Sequence, residues 1–284
     1  MQKLLILFLL LMAVSCTKQQ INPDSAGSLI ETDSLNVSYG IDPAQKFDMW
    51  LPANRSSDTT KVLIMIHGGG WTSGDKSDFS SNIGAVQQLL PGYAIFSINY
   101  RLATDNTNKF PAQENDVKSA IEFIYNRRNE FYISDKFVLL GASAGGHLAL
   151  LQAYKNSSLV KPKAVVAFFA PIDLAALYNN PPSIATPLAL LEATGTIPSV
   201  NPDIYNQSSP INFVSDQSCA TILLQGGLDP LVSPSQSASL QALLQQKNVI
   251  NQLVYYPNEG HGWTGPDLVD SYQKIQTFLY TNVH

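Results

Sequence analysis

Six short apolar runs, interrupted only by Ser97, constrain this chain more than any other feature: VLIMI at 62–66, YAIFSI at 93–98, FVLL at 137–140, VVAFF at 165–169, ILL at 222–224 and LVYY at 253–256. A strand with one face in water alternates apolar and polar residues. Strands covered on both faces read as continuous apolar runs, as in parallel sheets. Between the runs lie stretches of helical period. Gln113 to Arg128 brings Val117, Ala120, Ile121 and Ile124 to one face, and 147–154, Pro234 to Gln246 and Pro266 to Tyr280 also read as helices. The alternation predicts an α/β fold: a mostly parallel sheet with helices on both faces and a ligand site at the carboxyl ends of the strands. Lys46 to Leu51 is expected as an early edge strand. Residues 175–214, rich in proline, are too long for a plain connection and read as a small cap-like insertion over that carboxyl edge. No internal repeat or second linker divides residues 31–284, which are expected to form one domain.

Composition narrows the function. With 45% hydrophobic and 14% charged residues, the chain is no disordered tail. A net charge of -5, with no basic run beyond Arg127-Arg128, argues against nucleic acid as a partner. Two cysteines, Cys16 and Cys219, exclude a disulfide scaffold. The N-terminus has Lys3, an apolar run from Leu4 to Val14, then Ala13-Val14-Ser15-Cys16 and a polar stretch. The run is shorter than the ~20 residues that span a bilayer and fits a secretory signal. It resembles a bacterial lipoprotein signal over residues 1–16, in which Cys16 takes the lipid. Residues 17–30 then read as a tether, and the protein is expected to be exported and membrane-anchored at the periplasm or cell surface. The competing reading is an ordinary cleaved signal with an incidental cysteine. Cys219 is then left alone and is expected to be a small buried apolar residue.

Chemistry enters at Gly141-Ala142-Ser143-Ala144-Gly145, between the strand FVLL and a helix. A serine hydroxyl needs a base and an exposed position, and a sharp strand-to-helix turn flanked by small residues presents it. Of four histidines, His284 is terminal, His147 lies one turn into the helix after Ser143, and His67 sits in a glycine loop. His261, in a loop just past the strand LVYY, is the expected general base. Asp229 follows the strand ILL and Asp173 follows VVAFF. The order serine, aspartate, histidine favours Asp229 as the group that orients the imidazole, and Asp173 is expected to cap the start of the insertion. His67-Gly68-Gly69-Gly70-Trp71 follows the strand VLIMI, where glycines let N–H groups face a bound carbonyl oxygen. It has neither the Lys-Ser/Thr of a phosphate loop nor dinucleotide spacing. Trp71, Tyr100 and Trp263 are candidate substrate contacts, with core packing as the alternative.

These residues resemble an α/β-hydrolase esterase of the HGGG type. The chain is similar to hormone-sensitive-lipase-like carboxylesterases, within them most to the bacterial acetyl-xylan and feruloyl esterase branch. The resemblance rests on HGGGW at 67–71, Asn99-Tyr100-Arg101-Leu102, Phe110-Pro111-Ala112 with Asp116, GASAGGHLA at 141–149, Ser209-Pro210, GGLDPLV at 226–232 and GHGW at 260–263. It implies Ser143 as nucleophile, His261 as base, Asp229 as orienting acid, and an oxyanion hole from Gly69, Gly70 and Ala144. It implies no metal or cofactor. The expected activity is hydrolysis of short acyl esters through an acyl-enzyme, with acetyl or feruloyl groups on plant polysaccharide as candidate substrates. Two other readings stand beside it: an amide hydrolase (arylformamidase or peptidase) with the same triad, and a binding protein on the same fold.

Overall fold

The computed structural model describes residues 29–104, 107–156 and 159–284. The expected signal peptide, Cys16 and residues 17–28 of the tether lie outside the described residues. The strands are β1 (Thr32–Ser38), β2 (Lys46–Leu51), β3 (Val62–Ile66), β4 (Ala94–Ile98), β5 (Phe137–Ala142), β6 (Ala164–Phe168), β7 (Ala220–Gly226) and β8 (Asn251–Tyr256). They form one sheet in the order β1-β2-β4-β3-β5-β6-β7-β8. From β4 to β8 all pairs are parallel, while β2 runs antiparallel to both β1 and β4. The fold is α/β, as the apolar runs predict.

Each parallel strand feeds two cores. In β3, Val62, Ile64 and Ile66 pack on one face, and Leu63 and Met65 on the other. All five are nearly inaccessible to water, which is why the run shows no alternation. One face is covered by α2 (Ala112–Asn126), followed by the short α3 (Arg128–Phe131), with α4 (Ala144–Tyr154) beside it. The other is covered by α1 (Ile83–Leu89), which follows a 3₁₀ segment at Lys76–Asn82, and by the C-terminal helix Gly265–Asn282.

One sequence expectation needs correction. Lys46–Leu51 is not an edge strand, because β1 covers it. β1 escaped notice because its sequence, TDSLNVS, is polar and largely exposed, and its pairing slips between Ser34 and Val37. The proline-rich segment 175–214 has a helical structure of its own. It folds into α5 (Leu174–Asn179), α6 (Ala185–Thr194), α7 (Pro202–Gln207) and a 3₁₀ turn at Pro210–Phe213. Pro202 and Pro210 stand at the first positions of their helices, where the missing N–H costs little. Two helices follow: α8 (Pro234–Gln246) and α9 (Gly265–Asn282).

Candidate active site

β5 ends in a turn that only small neighbours permit. Ser143 has φ 54° and ψ -121°, outside the regions that L-residues prefer. Its N–H donates to the Phe168 carbonyl at 2.9 Å, and His147 N–H donates to the Ser143 carbonyl at 3.0 Å, so the turn is held from both sides. Gly145 crosses beneath β3 so closely that a Cβ there would lie 2.0 Å from the Ile66 carbonyl oxygen. The hydroxyl is thereby lifted above the carboxyl edge of the sheet, with α4 running away below it.

Loops from β8 and β7 complete a hydrogen-bonded chain. His261 Nε2 lies 2.8 Å from Ser143 Oγ, and His261 Nδ1 lies 2.8 Å from Asp229 Oδ2. A carboxylate only accepts, so the imidazole proton sits on Nδ1 and the Nε2 lone pair faces the serine hydroxyl. The Asp229 side chain is fully buried, and its Oδ1 accepts the N–H groups of Leu231 and Val232 at 2.8 and 2.9 Å. Gln225 Nε2 donates to Oδ2 at 3.2 Å, and Ser237 Oγ in turn donates to Gln225 Oε1 at 2.9 Å. Sequence reasoning passed over Gln225. The available signal was a glutamine at the end of an otherwise apolar strand, since a buried amide needs partners. Phe169, also overlooked, packs on the His261 ring at 4.6 Å.

In the glycine loop, hydrogen bonds to two successive carbonyls fix the direction of two N–H groups. A trans peptide is planar, so fixing a carbonyl fixes the following N–H in the opposite direction. Tyr100 OH donates to the Gly68 carbonyl at 3.0 Å, and His67 Nδ1 lies 2.9 Å from it, which fixes the Gly69 N–H. Ser73 Oγ and the N–H groups of Thr72 and Ser73 converge on the Gly69 carbonyl, which fixes the Gly70 N–H. Among the described residues, neither glycine N–H has a backbone acceptor. Gly69 has φ +92°, and a Cβ there would meet the Ser73 carbonyl oxygen at 2.1 Å. Burial lowers the His67 pKa, and the ring stacks on Tyr100 at 4.3 Å. Ala144, the first residue of α4, offers its N–H from the elbow.

The remaining candidates fall in different places. Tyr100, 1% exposed, is no substrate contact: its ring is packed in the core and its hydroxyl braces the glycine loop. Trp71 is buried, yet it walls a cavity of about 160 Å³ that also contains Ser143. Trp263 walls a larger cavity of about 420 Å³ on the opposite face of the sheet, its Nε1 donating to Ser271 Oγ at 2.9 Å. His147 is buried, with Nδ1 accepting from Trp71 Nε1 at 3.2 Å and Nε2 donating to the Ser208 carbonyl at 2.6 Å. It packs locally and joins the glycine loop to the insertion. Asp173 caps α5, accepting from Ala176 N–H at 2.9 Å. Cys219 is free and buried. Among the described residues, no group of three or more His, Cys, Asp or Glu side chains could hold a metal ion.

The BD-FAE family model matches residues 47–244 of the chain. Esterase LipC of Mycobacterium tuberculosis is 27% identical over 251 residues, covering 82% of this chain and 60% of that protein. The probable carboxylic ester hydrolase LipM of the same organism is 29% identical over 234 residues, covering 78% and 53%. The chain thus spans between half and two thirds of the length of these relatives. Among solved structures, a truncated carbohydrate esterase from gut microbiota superposes with a TM-score of 0.75 at 26% identity, covering 90% of this chain and 98% of that one.

Proposed function

The chain belongs to the BD-FAE family, and from that premise we propose that it is a serine carboxylesterase for short acyl esters. One observation carries the reading: Ser143, His261 and Asp229 form a hydrogen-bonded chain at the carboxyl edge of the sheet, opposite the glycine loop. Ser143 Oγ adds to the ester carbonyl carbon as its proton passes to His261 Nε2. The carbonyl electron pair moves onto oxygen, which meets the N–H groups of Gly69, Gly70 and Ala144. Asp229 holds the imidazole by Nδ1–H and stabilises its charged form. The tetrahedral intermediate then collapses, and the alcohol leaves with the proton from Nε2. Water, giving its proton to the same nitrogen, adds to the acyl-Ser143 ester, and collapse of this second intermediate releases the acid as Ser143 Oγ takes that proton back. The N–H groups are fixed before reaction, and the loss of one such donor costs about 2.7–4 kcal/mol of transition-state stabilisation.

Acylated plant polysaccharide, carrying acetyl or feruloyl esters, is the proposed natural substrate. The names of LipC, LipM and the gut carbohydrate esterase support an ester, the last of them a carbohydrate one. An exported, lipid-anchored location belongs to the same proposal, supported by the Leu4 to Val14 run and Cys16. Loss of lipid labelling and release from the membrane fraction in Cys16→Ser would test it. The activity is tested by hydrolysis of p-nitrophenyl acetate. Ser143→Ala should lose about 10⁴-fold or more in kcat while keeping its fold. Undiminished activity in that variant overturns the assignment. Turnover of N-formylkynurenine but of neither acetylated xylan nor methyl ferulate would favour the amide reading.

A further inference from the structure

Two cavities of unequal size flank the catalytic chain: the smaller contains Ser143, and the larger is lined by Ala142, next to Ser143, and by Gly262, next to His261. The smaller, about 160 Å³, lies under the insertion, where Leu177, Thr186 and Ala189 close it against Gly70 and Trp71. The larger, about 420 Å³, lies across the sheet and is walled by Phe79, Phe168, Phe169, Trp263 and Leu268, with Tyr272 at its polar edge. Pockets that enclose a ring-bearing ligand span about 300–1,000 Å³, a range that includes the larger cavity and excludes the smaller.

The hydrogen-bonded chain decides which half of an ester goes where. Once the carbonyl oxygen points at the glycine loop, the two other substituents of the carbon must diverge. The leaving oxygen has to meet His261 Nε2, the proton donor for departure. Gly262, Trp263 and Thr264, which directly follow His261, line only the larger cavity, as does Phe169, which packs on the imidazole. The smaller cavity holds Ser143 and the end of the glycine loop, and no residue of the 260–264 loop. Thr186 Oγ1 donates to the Leu231 carbonyl at 2.7 Å, and this hydrogen bond fastens α6 to the loop that carries Asp229.

We infer that the alcohol half of the substrate occupies the large aromatic cavity and the acyl half the small one under the insertion. The protein is thus selective for acetyl-sized esters of bulky ring alcohols and discriminates against bulky aromatic acids. This rests on the esterase reading above and narrows it: an acetyl group on a ring alcohol suits the site, and a feruloyl group does not.

Reversed-ester isomers provide the test. 2-Naphthylmethyl acetate and methyl 2-naphthylacetate share one composition, and both release a primary alcohol. They differ in which side of the carbonyl bears the ring. The acetate is expected to show kcat/KM at least about tenfold higher, the scale on which a pocket rejects a misfitting apolar group. Leu268→Trp, which fills the large cavity, should raise KM for the naphthylmethyl ester at least about tenfold more than KM for ethyl acetate. Leu177→Ala, which widens the small one, should narrow the gap between the isomers. Equal turnover of the two isomers, or preference for the naphthylacetate, with both rates lost in Ser143→Ala, overturns the inference and leaves the esterase reading standing. No Ser143-dependent turnover of either isomer or of p-nitrophenyl acetate overturns both.

Discussion

The elbow at Ser143 and the inserted helices α5 and α6 border the same small cavity, yet they are held by different forces. Backbone against backbone builds the elbow: a positive φ at Ser143, and Gly145 pressed on the Ile66 carbonyl. Nothing there can adjust. Side chains that could be exchanged hold the insertion: the Asp173 and Asn201 caps, Thr186 on Leu231, and Lys109 on Glu192 at 3.0 Å. Its outer face leaves Ile184 and Leu188 more than half exposed. The proposed chemistry therefore rests on the rigid region and the proposed selectivity on the replaceable one. His147 links them, one turn below Ser143 and bonded to both the glycine loop and Ser208.

The difference can be broken at its strongest point. Gly145→Ala sets a methyl group against backbone that cannot retreat, and is expected to cost more than about 4 kcal/mol, the range of the most damaging single substitutions. Urea unfolding followed by circular dichroism measures it. A loss below about 1 kcal/mol would show that the elbow can yield after all.

The link between the regions should appear as a pH dependence. Burial brings the His147 pKa down to about 4, against a usual value of 6.5, and its Nδ1 is already committed as an acceptor. The unfolded chain takes up this proton first, so stability is full above pH 6.5 and falls as pH drops towards 4. The contribution of this one group is on the order of 3 kcal/mol. His147→Gln keeps a donor and an acceptor but cannot titrate. Its stability should therefore decline less steeply across that interval, whatever its absolute value. Parallel slopes for the two proteins would remove His147 as the cause.

The replaceable region should give the smallest response. Thr186→Val deletes the hydrogen bond to Leu231 and is expected to cost about 1 kcal/mol. Turnover of acetate esters should change less than tenfold, while butyrate and hexanoate esters gain relative to acetate. An unchanged acyl-length profile would show that α6 does not bound the acyl side.

Much of this architecture was legible before any coordinates. Runs such as VLIMI and FVLL stood out because burial on both faces removes every polar residue from them. β1 did not, because its exposed edge and its slip near Asn36 erase the alternation. The helices of the insertion were hidden by prolines, which read as breakers until Pro202 and Pro210 are seen to begin helices. At the site, Ser143, Asp229 and His261 stood out because each directly follows an apolar strand. Gln225, Thr186 and Phe169 did not, because each acts through a neighbour that only the folded chain supplies. For Tyr100 the sequence left substrate contact and core packing both open, and only the folded chain shows the ring in the core with its hydroxyl aiming a peptide group.

The central claim is that Ser143 is a nucleophile activated by His261. An aryl fluorophosphonate tests it directly, because serine attack at phosphorus expels fluoride and leaves a stable adduct. Mass spectrometry of the treated protein should find one phosphonyl group per chain, on the peptide containing Ser143. Ser143→Ala should carry none, and His261→Ala should label slower by about 10³-fold or more. Equally fast labelling without His261, or an adduct on another residue with Ser143 unmodified, would contradict the claim.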